Sequence, residues 1–290
     1  MKTNLTTLNS YISLKDGRQL GFAEYGFNKG FPLLFFHGLP GSRLEAGKLH
    51  AAALRLQLRL IGLDRPGMGL SSPQKNRTLL DWPNDIKEFA TTLNLKNFSI
   101  VGHSGGAPYI AACAYRIPEL LHKAVIISGI APLTYPEAIT SLSKSQKQMN
   151  WMIRYTPMLM KLMMKLSCKA LENPKRLNSI LKQLPEADAK IFENNHYKES
   201  MILSIKEAFR QNASGVVDDF KLLPRPWGFD LEAIRCPFVI WQGGKDLQAP
   251  VKHAEIFAQQ VPQANYVFLP EEGHISILHN YSEQLLTSAL

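Results

Sequence analysis

The run Ser99-Ile100-Val101-Gly102-His103-Ser104-Gly105-Gly106-Ala107 sets a serine between glycines two residues before and two after it. A serine hydroxyl is a weak nucleophile unless it stands clear of the backbone beside a base. A tight strand-to-helix turn achieves this by holding the serine in strained geometry. The β-branched residues before this G-x-S-x-G pattern and the helical run Tyr109 to Tyr115 after it supply that context. The glycines leave room for strand and helix to pack closely, and the helix N-terminus favours developing negative charge. Taken alone, the pattern fits a glycine-rich turn with a capping serine equally well, so its partners decide.

Acyl transfer needs two backbone N–H donors aimed at the tetrahedral oxygen, one of them from the residue after the nucleophile. Gly105 and Leu39 are the candidates, the latter within Phe35-Phe36-His37-Gly38-Leu39-Pro40-Gly41-Ser42. Pro40 cannot donate, and it biases Leu39 toward extended backbone. Further on, Val239 to Asp246 reads as a strand, a glycine turn and an acid, and Tyr266 to His274 as a strand, a short loop and a histidine. Ser104, Asp246 and His274 therefore follow in the order Ser, Asp, His, each just past a strand end.

Those residues need a sheet to hold them. Asn9 to Leu14 and Arg18 to Tyr25 flank Lys15-Asp16-Gly17 and read as a hairpin. Apolar runs at Pro32 to Phe36, Arg59 to Leu63, Phe98 to Val101 and Ala124 to Ser128 are then separated by helix-length stretches, the pattern of βαβ units and a parallel sheet. Two more strands are expected at Pro237 to Trp241 and Tyr266 to Leu269. Between the two groups lies helical periodicity with no strand-like run, closed by Leu223-Pro224-Arg225-Pro226-Trp227. The expected organisation is a core over 1–131, a helical cap over 132–226 and the rest of the core over 227–290.

Taken in order, HGLPGS, DRPGMGLSS, GHSGGAP, GGKD and EGH resemble the motifs of the α/β-hydrolase fold family, in its capped esterase, peroxidase and epoxide-hydrolase-like group. The resemblance runs from about Lys15 to the C-terminus apart from the insertion. It implies an α/β fold, with a mostly parallel eight-stranded sheet, helices on both faces and a helical cap. It also implies that Ser104 attacks the substrate, that His274 takes and returns the proton, and that Asp246 orients His274. Dehalogenases and epoxide hydrolases of this group carry aspartate at the elbow, which forms an alkyl ester at sp³ carbon. Serine suits attack on a carbonyl, so the expected substrate is a small to medium, mostly apolar carboxylic ester. C–C bond hydrolysis, peptidase action and perhydrolysis use the same triad, and a ligand-binding sensor on this fold is the alternative of another class.

Other candidates carry blander readings. His279 falls in an expected helix, Ile275 to Leu286, and His103 reads as structural. His37 reads as a support for the loop before Leu39, Glu271 and Glu272 as solvated charges, and Asp218 and Asp219 as weaker alternatives to Asp246. Asp64 to Ser72 lacks the third glycine of a dinucleotide fingerprint, and Gly243-Gly244-Lys245-Asp246 lacks the hydroxyl residue of a phosphate loop. Zinc-ligand spacing is absent too, so neither cofactor nor metal is expected.

Composition narrows the setting. The 290 residues are 45% hydrophobic and 20% charged, enough for one substantial core and far from disorder. MKTNLTTLNSYISLKDG lacks the apolar run of a secretory signal, and the three cysteines follow no framework. A cytoplasmic protein is expected. The net charge of +9 hints at nucleic acid, but no basic-aromatic module supports such a partner. Residues 138–171 concentrate the excess, with six basic residues, no acid and six of the nine methionines. Thr156-Pro157 reads as a helix start, after which Lys161, Lys165 and Lys169 share one face. Three roles are open for this helix. It packs on the core with its lysines in water, its methionines roof an apolar acyl pocket, or it meets anionic lipid as a lid.

Overall fold

The computed structural model describes residues 7–290. The first six residues of the segment read as lacking a signal lie outside the described residues. Among the described residues eight strands form one sheet: β1 (Thr7–Ser13), β2 (Gln19–Gly26), β3 (Phe31–Phe36), β4 (Leu58–Leu63), β5 (Phe98–His103), β6 (Leu121–Ile127), β7 (Phe238–Gly243) and β8 (Asn265–Leu269). Their spatial order is β1-β2-β4-β3-β5-β6-β7-β8. β1 with β2 and β2 with β4 run antiparallel, and every other pair is parallel. Because β3 lies between β4 and β5, chain order reverses there. A crevice opens at the carboxyl ends of β3 and β5, where open α/β sheets hold ligands.

The β3 sequence shows why both faces are covered. Leu34 and Phe36 point to one side, into a core with Ile100, Phe89, Ile110 and Phe257. Leu33 and Phe35 point to the other, into a core with Val101, Ala52, Ala53 and Leu285. Strand side chains alternate, so a strand buried on both sides must be apolar throughout. The covering helices include α1 (His50–Arg55), α2 (Trp82–Thr92) and α3 (Ala107–Arg116).

Seven α-helices fill the chain between β6 and β7: α4 (Pro136–Ser141), α5 (Lys144–Tyr155), α6 (Pro157–Ala170), α7 (Pro174–Leu181), α8 (Glu186–Ile191), α9 (Asn195–Ala208) and α10 (Ser214–Leu222). α11 (Val251–Gln260) joins β7 to β8, and α12 (Ser276–Asn280) and α13 (Ser282–Thr287) follow β8. The single helix expected over Ile275 to Leu286 is thus two, because Tyr281 leaves helical geometry at φ −115° and ψ 22°. Thr156 precedes α6 but does not cap it. Its hydroxyl donates back to the Met152 carbonyl at 3.0 Å, extending α5 instead.

Buried ions fasten the helical segment to the core. Asp219 on α10 accepts from Arg65 Nε at 2.6 Å and from Arg77 and the Tyr109 hydroxyl. Burial works to raise the Asp219 carboxyl, but Arg65 and Arg77 outweigh it and hold it down at about 2. Asp219 is therefore an anchor for two guanidinium groups, and it stands apart from His274's partner.

Candidate active site

Ser104 sits at φ 53°, the left-handed region that a non-glycine residue enters only where its surroundings enforce it. The glycines around it are required by close approach. A Cβ on Gly102 would lie 2.4 Å from Ile110 Cγ1, and one on Gly106 would lie 2.3 Å from the Phe36 carbonyl oxygen. Strand β5 and helix α3 thus meet at the turn with no space for a side chain at either position.

His274, on the loop after β8, points its Nδ1 at Asp246 Oδ2 across 2.8 Å. Asp246, on the loop after β7, also accepts at Oδ1 from the Gln248 and Ala249 amides, both at 2.8 Å. Burial works to raise this carboxyl, but His274 and those amides outweigh it and hold it below the ordinary carboxylate value. For His274, burial works to lower the imidazole, whereas Asp246, with Asp188 and Glu45 farther off, leaves it above the ordinary histidine value. An ionised Asp246 can only accept. The proton therefore rests on His274 Nδ1, and Nε2 keeps its lone pair when the ring is neutral.

Ser104 and His274 line one cavity of about 130 Å³, together with Leu39, Met201, Ser204 and Ile205. The first two end β5 and the loop past β8; Leu39 follows β3. A Cβ on Gly105 would lie 3.4 Å from the Leu39 nitrogen, so the two candidate donor amides are neighbours. Neither N–H donates to another group among the described residues. The structure thus brings Ser104, Asp246, His274, Leu39 and Gly105 to one sheet edge. Chemically, the arrangement offers a nucleophile, a base with a fixed tautomer, and two free donors.

Several supports lie outside the motifs. Glu45 accepts from the Gly38 amide at 2.7 Å through Oε2 and pairs with His103 Nδ1 at 2.8 Å through Oε1. The other His103 nitrogen faces the His274 carbonyl at 3.0 Å. Both of these partners accept, so both bonds form together only when each ring nitrogen carries a proton. His103 is thus more than a packing residue, because it links the loop of Leu39 to the loop of His274. The one sequence signal for Glu45 is its position three residues past Ser42, at the start of the helical turn after that loop.

His37 behaves as read from sequence. Its Nδ1 donates to the Gly38 carbonyl at 2.7 Å, and Nε2 accepts from the Arg65 amide at 3.3 Å. Burial and the nearby Arg65 drive its imidazole down to about 3, so it stays neutral. Arg65 itself holds the His37 and Gly38 carbonyls at 2.5 and 3.1 Å. The Asp64 to Ser72 loop is thereby a brace for the turn at Leu39. His279 packs edge-on against Tyr197 at 5.2 Å between ring centroids.

Sequence reasoning passed over Asp188 altogether. This fully buried residue on α8 accepts from three successive backbone amides of the segment after β8, His274 at 3.1 Å, Ile275 at 2.8 Å and Ser276 at 2.9 Å. A Cβ on Gly273 would lie 2.4 Å from Asp188 Oδ1, so the glycine there admits the carboxylate. Asp188→Asn would turn an amide N–H toward one of those donors and remove a negative charge near His274. We expect kcat of any reaction that uses His274 as a base to fall about tenfold to 100-fold. The acid limb of the pH–rate profile should move to lower pH, because Asp188 helps keep His274 above its ordinary value. A limb that stays in place would limit Asp188 to packing.

The methionine roof is a correction. Met160 and Met164 are buried with Met68, Ile153, Val216 and Phe220, in a core of their own. The methionine that reaches the Ser104 cavity is Met201 on α9. α6 fails to roof the site because α9 lies against the segment Arg43–Leu49 beside it and supplies Met201, Ser204 and Ile205.

Sheet order, elbow and site geometry together define the class: the chain is an α/β-hydrolase-fold protein. The sequence profile of the alpha/beta hydrolase fold matches residues 32–156. Ethanol acetyltransferase 1 of Cyberlindnera fabianii is 37% identical over 113 residues, 36% of this chain and 31% of that one. The dihydrolipoyllysine-residue acetyltransferase component of the acetoin cleaving system of Pseudomonas putida is 26% identical over 89% of this chain and 62% of its own length. The chain thus spans less than two thirds of either relative. Among solved structures, a bromoperoxidase from Bacillus anthracis superposes with a TM-score of 0.74 at 17% identity, covering 97% of this chain and 99% of that one. Among the described residues, no helix is long and apolar enough to cross a membrane.

Proposed function

We propose that the chain is a serine hydrolase that cleaves a small to medium, mostly apolar carboxylic ester through an acyl-enzyme. The observation that carries this reading is a serine at φ 53° sharing a cavity with a histidine already paired to a buried aspartate. Ser104 Oγ attacks the carbonyl carbon while His274 Nε2 takes its proton. The oxyanion receives the Leu39 and Gly105 N–H groups, and collapse expels the alkoxide, which His274 protonates. Water then repeats the sequence on the acyl-serine and returns the acid. The unpaired cysteines Cys113, Cys168 and Cys236 suit a cytoplasmic setting.

Fluorophosphonate labelling together with p-nitrophenyl ester turnover tests this reading. Wild type should label at Ser104 and release p-nitrophenol over many turnovers. Labelling without turnover would favour a sensor, and no labelling would remove the nucleophile. Added ethanol that diverts product to ethyl esters would make an alcohol the second acceptor, as the name of the ethanol acetyltransferase relative suggests.

For the cap we propose contact with an anionic bilayer. Met158 is 86% exposed, and Trp151, Tyr155, Leu159, Leu162 and Leu166 are exposed beside it. At 100° per residue, Leu159, Leu162 and Leu166 form a row next to the row of Lys161, Lys165 and Lys169, opposite buried Met160 and Met164. Apolar and cationic rows side by side suit a lipid surface. Wild type should float with vesicles of phosphatidylglycerol and phosphatidylcholine but poorly with phosphatidylcholine alone. Changing the three lysines to glutamine should weaken binding about 100-fold, since each contributes about fivefold. A dimer formed through α6 with no vesicle binding would overturn the proposal.

A further inference from the structure

Within the cavity that holds Ser104 and His274, one cation has no hydrogen-bond partner among the described residues. Lys48 lies near the end of the helical turn Arg43–Leu49, and its side chain is only 8% exposed. It is the one lysine or arginine among the described residues that line the cavity. Its Nζ carries three N–H donors, yet it makes no hydrogen bond among the described residues. Glu45 Oε1 is 4.0 Å away, and the Tyr197 ring centroid is 5.0 Å away.

Glu45 is steadied by the charge of this lysine, but at 4.0 Å it makes no hydrogen bond to it. Its oxygens already take shorter bonds, 2.7 Å from the Gly38 amide and 2.8 Å from His103. Asp246 is likewise committed to His274 and two amides. The aromatic face of Tyr197 steadies a cation but accepts no hydrogen bond of ordinary strength. A withdrawn ammonium with free donors is costly unless something occupies them. Burial draws Lys48 below the ordinary lysine value while Glu45 works the other way, and an added anion would reinforce Glu45. Leu39, Met201, Ile205 and Ile275 line the same cavity and offer an apolar path beside the cation.

We propose that Lys48 binds a carboxylate of the substrate, so that the preferred ester is a monoester of a short dicarboxylic acid. The methylene chain lies along the apolar lining, and the free carboxylate occupies the Nζ donors while the ester carbonyl meets Ser104. This rests on the serine-hydrolase reading and sharpens its mostly apolar substrate to one with a single charged end.

The test compares monoethyl glutarate with ethyl valerate, esters of equal acyl length, by ethanol release. Wild type should favour monoethyl glutarate in kcat/KM. Lys48→Met should lower that ratio by about tenfold or more, and Lys48→Arg should keep part of it. A lysine that merely props Glu45 would slow both esters alike and leave the ratio unchanged, which would overturn the proposal. Should Lys48→Met fail to fold, competition on wild type decides: glutarate must inhibit p-nitrophenyl butyrate turnover more strongly than 1,5-pentanediol, and equal inhibition overturns the proposal. Loss of the hydrolase reading looks different. Neither ester would be cleaved and no fluorophosphonate label would form, yet glutarate would still bind wild type and not Lys48→Met in calorimetry.

Discussion

Ser104→Ala and His274→Ala should each lower kcat for a neutral ester by about 10⁶-fold, and the double variant should be no slower than either single one. The reason is that the two side chains perform one act. Without the histidine the hydroxyl keeps its proton, and without the hydroxyl the base has nothing to activate. The site argues for such a unit because both residues line one cavity and His274 is already oriented through Nδ1. Residual rate above water would come from the Leu39 and Gly105 amides, which neither substitution touches. Steady-state kinetics on the three variants check this. Losses that multiply in the double variant would mean that Ser104 and His274 act separately, and the acyl-enzyme scheme would fall.

Asp246→Asn should lower kcat by about 10⁴-fold while leaving substrate binding nearly intact. Ionised Asp246 accepts the proton of His274 Nδ1 at 2.8 Å and is itself held by two amides. An asparagine in that place can present its N–H₂ to Nδ1, which moves the ring proton to Nε2 and blinds the base. The pH dependence carries a second sign. Because Asp246 holds His274 above the ordinary 6.5, activity of the wild type should rise with pH through a midpoint above that value. Without the carboxylate, burial and its lowering effect prevail, so the residual activity of Asp246→Asn should rise at lower pH. A midpoint that does not move would sever Asp246 from His274.

The elbow and the strand ends were legible for a physical reason. Glycine at 102 and 106 is enforced by atoms of Ile110 and Phe36 within 2.4 Å of any added Cβ, so local sterics write themselves into the sequence as a spaced pattern. Apolar runs such as Phe31–Phe36 betray a strand buried on both faces in the same way. The cap of α6 was not legible because a threonine hydroxyl can accept from the amides ahead of it or donate to a carbonyl behind it, and Thr156 donates back to Met152. Propensity cannot rank those two alternatives.

Asp188, Glu45 and Lys48 left no comparable trace. Asp188 meets amides 86 to 88 residues away, and nothing near it in the chain requires an acid. The same holds for the methionines of α6, which periodicity marks as apolar without saying what they face. In this protein the sequence alone determined the alternation of strands with helical stretches and the order of the candidate nucleophile, acid and base. Those depend on backbone sterics, glycine clearance and alternation, all effects that reach only a few residues along the chain. Tertiary structure decided which helix of the segment between β6 and β7 borders the cavity, which carboxylates meet His274 and its loop, and where a buried lysine keeps its hydrogen-bond donors free. Such choices turn on desolvation and on partners brought together only when the helical segment folds down onto the sheet edge.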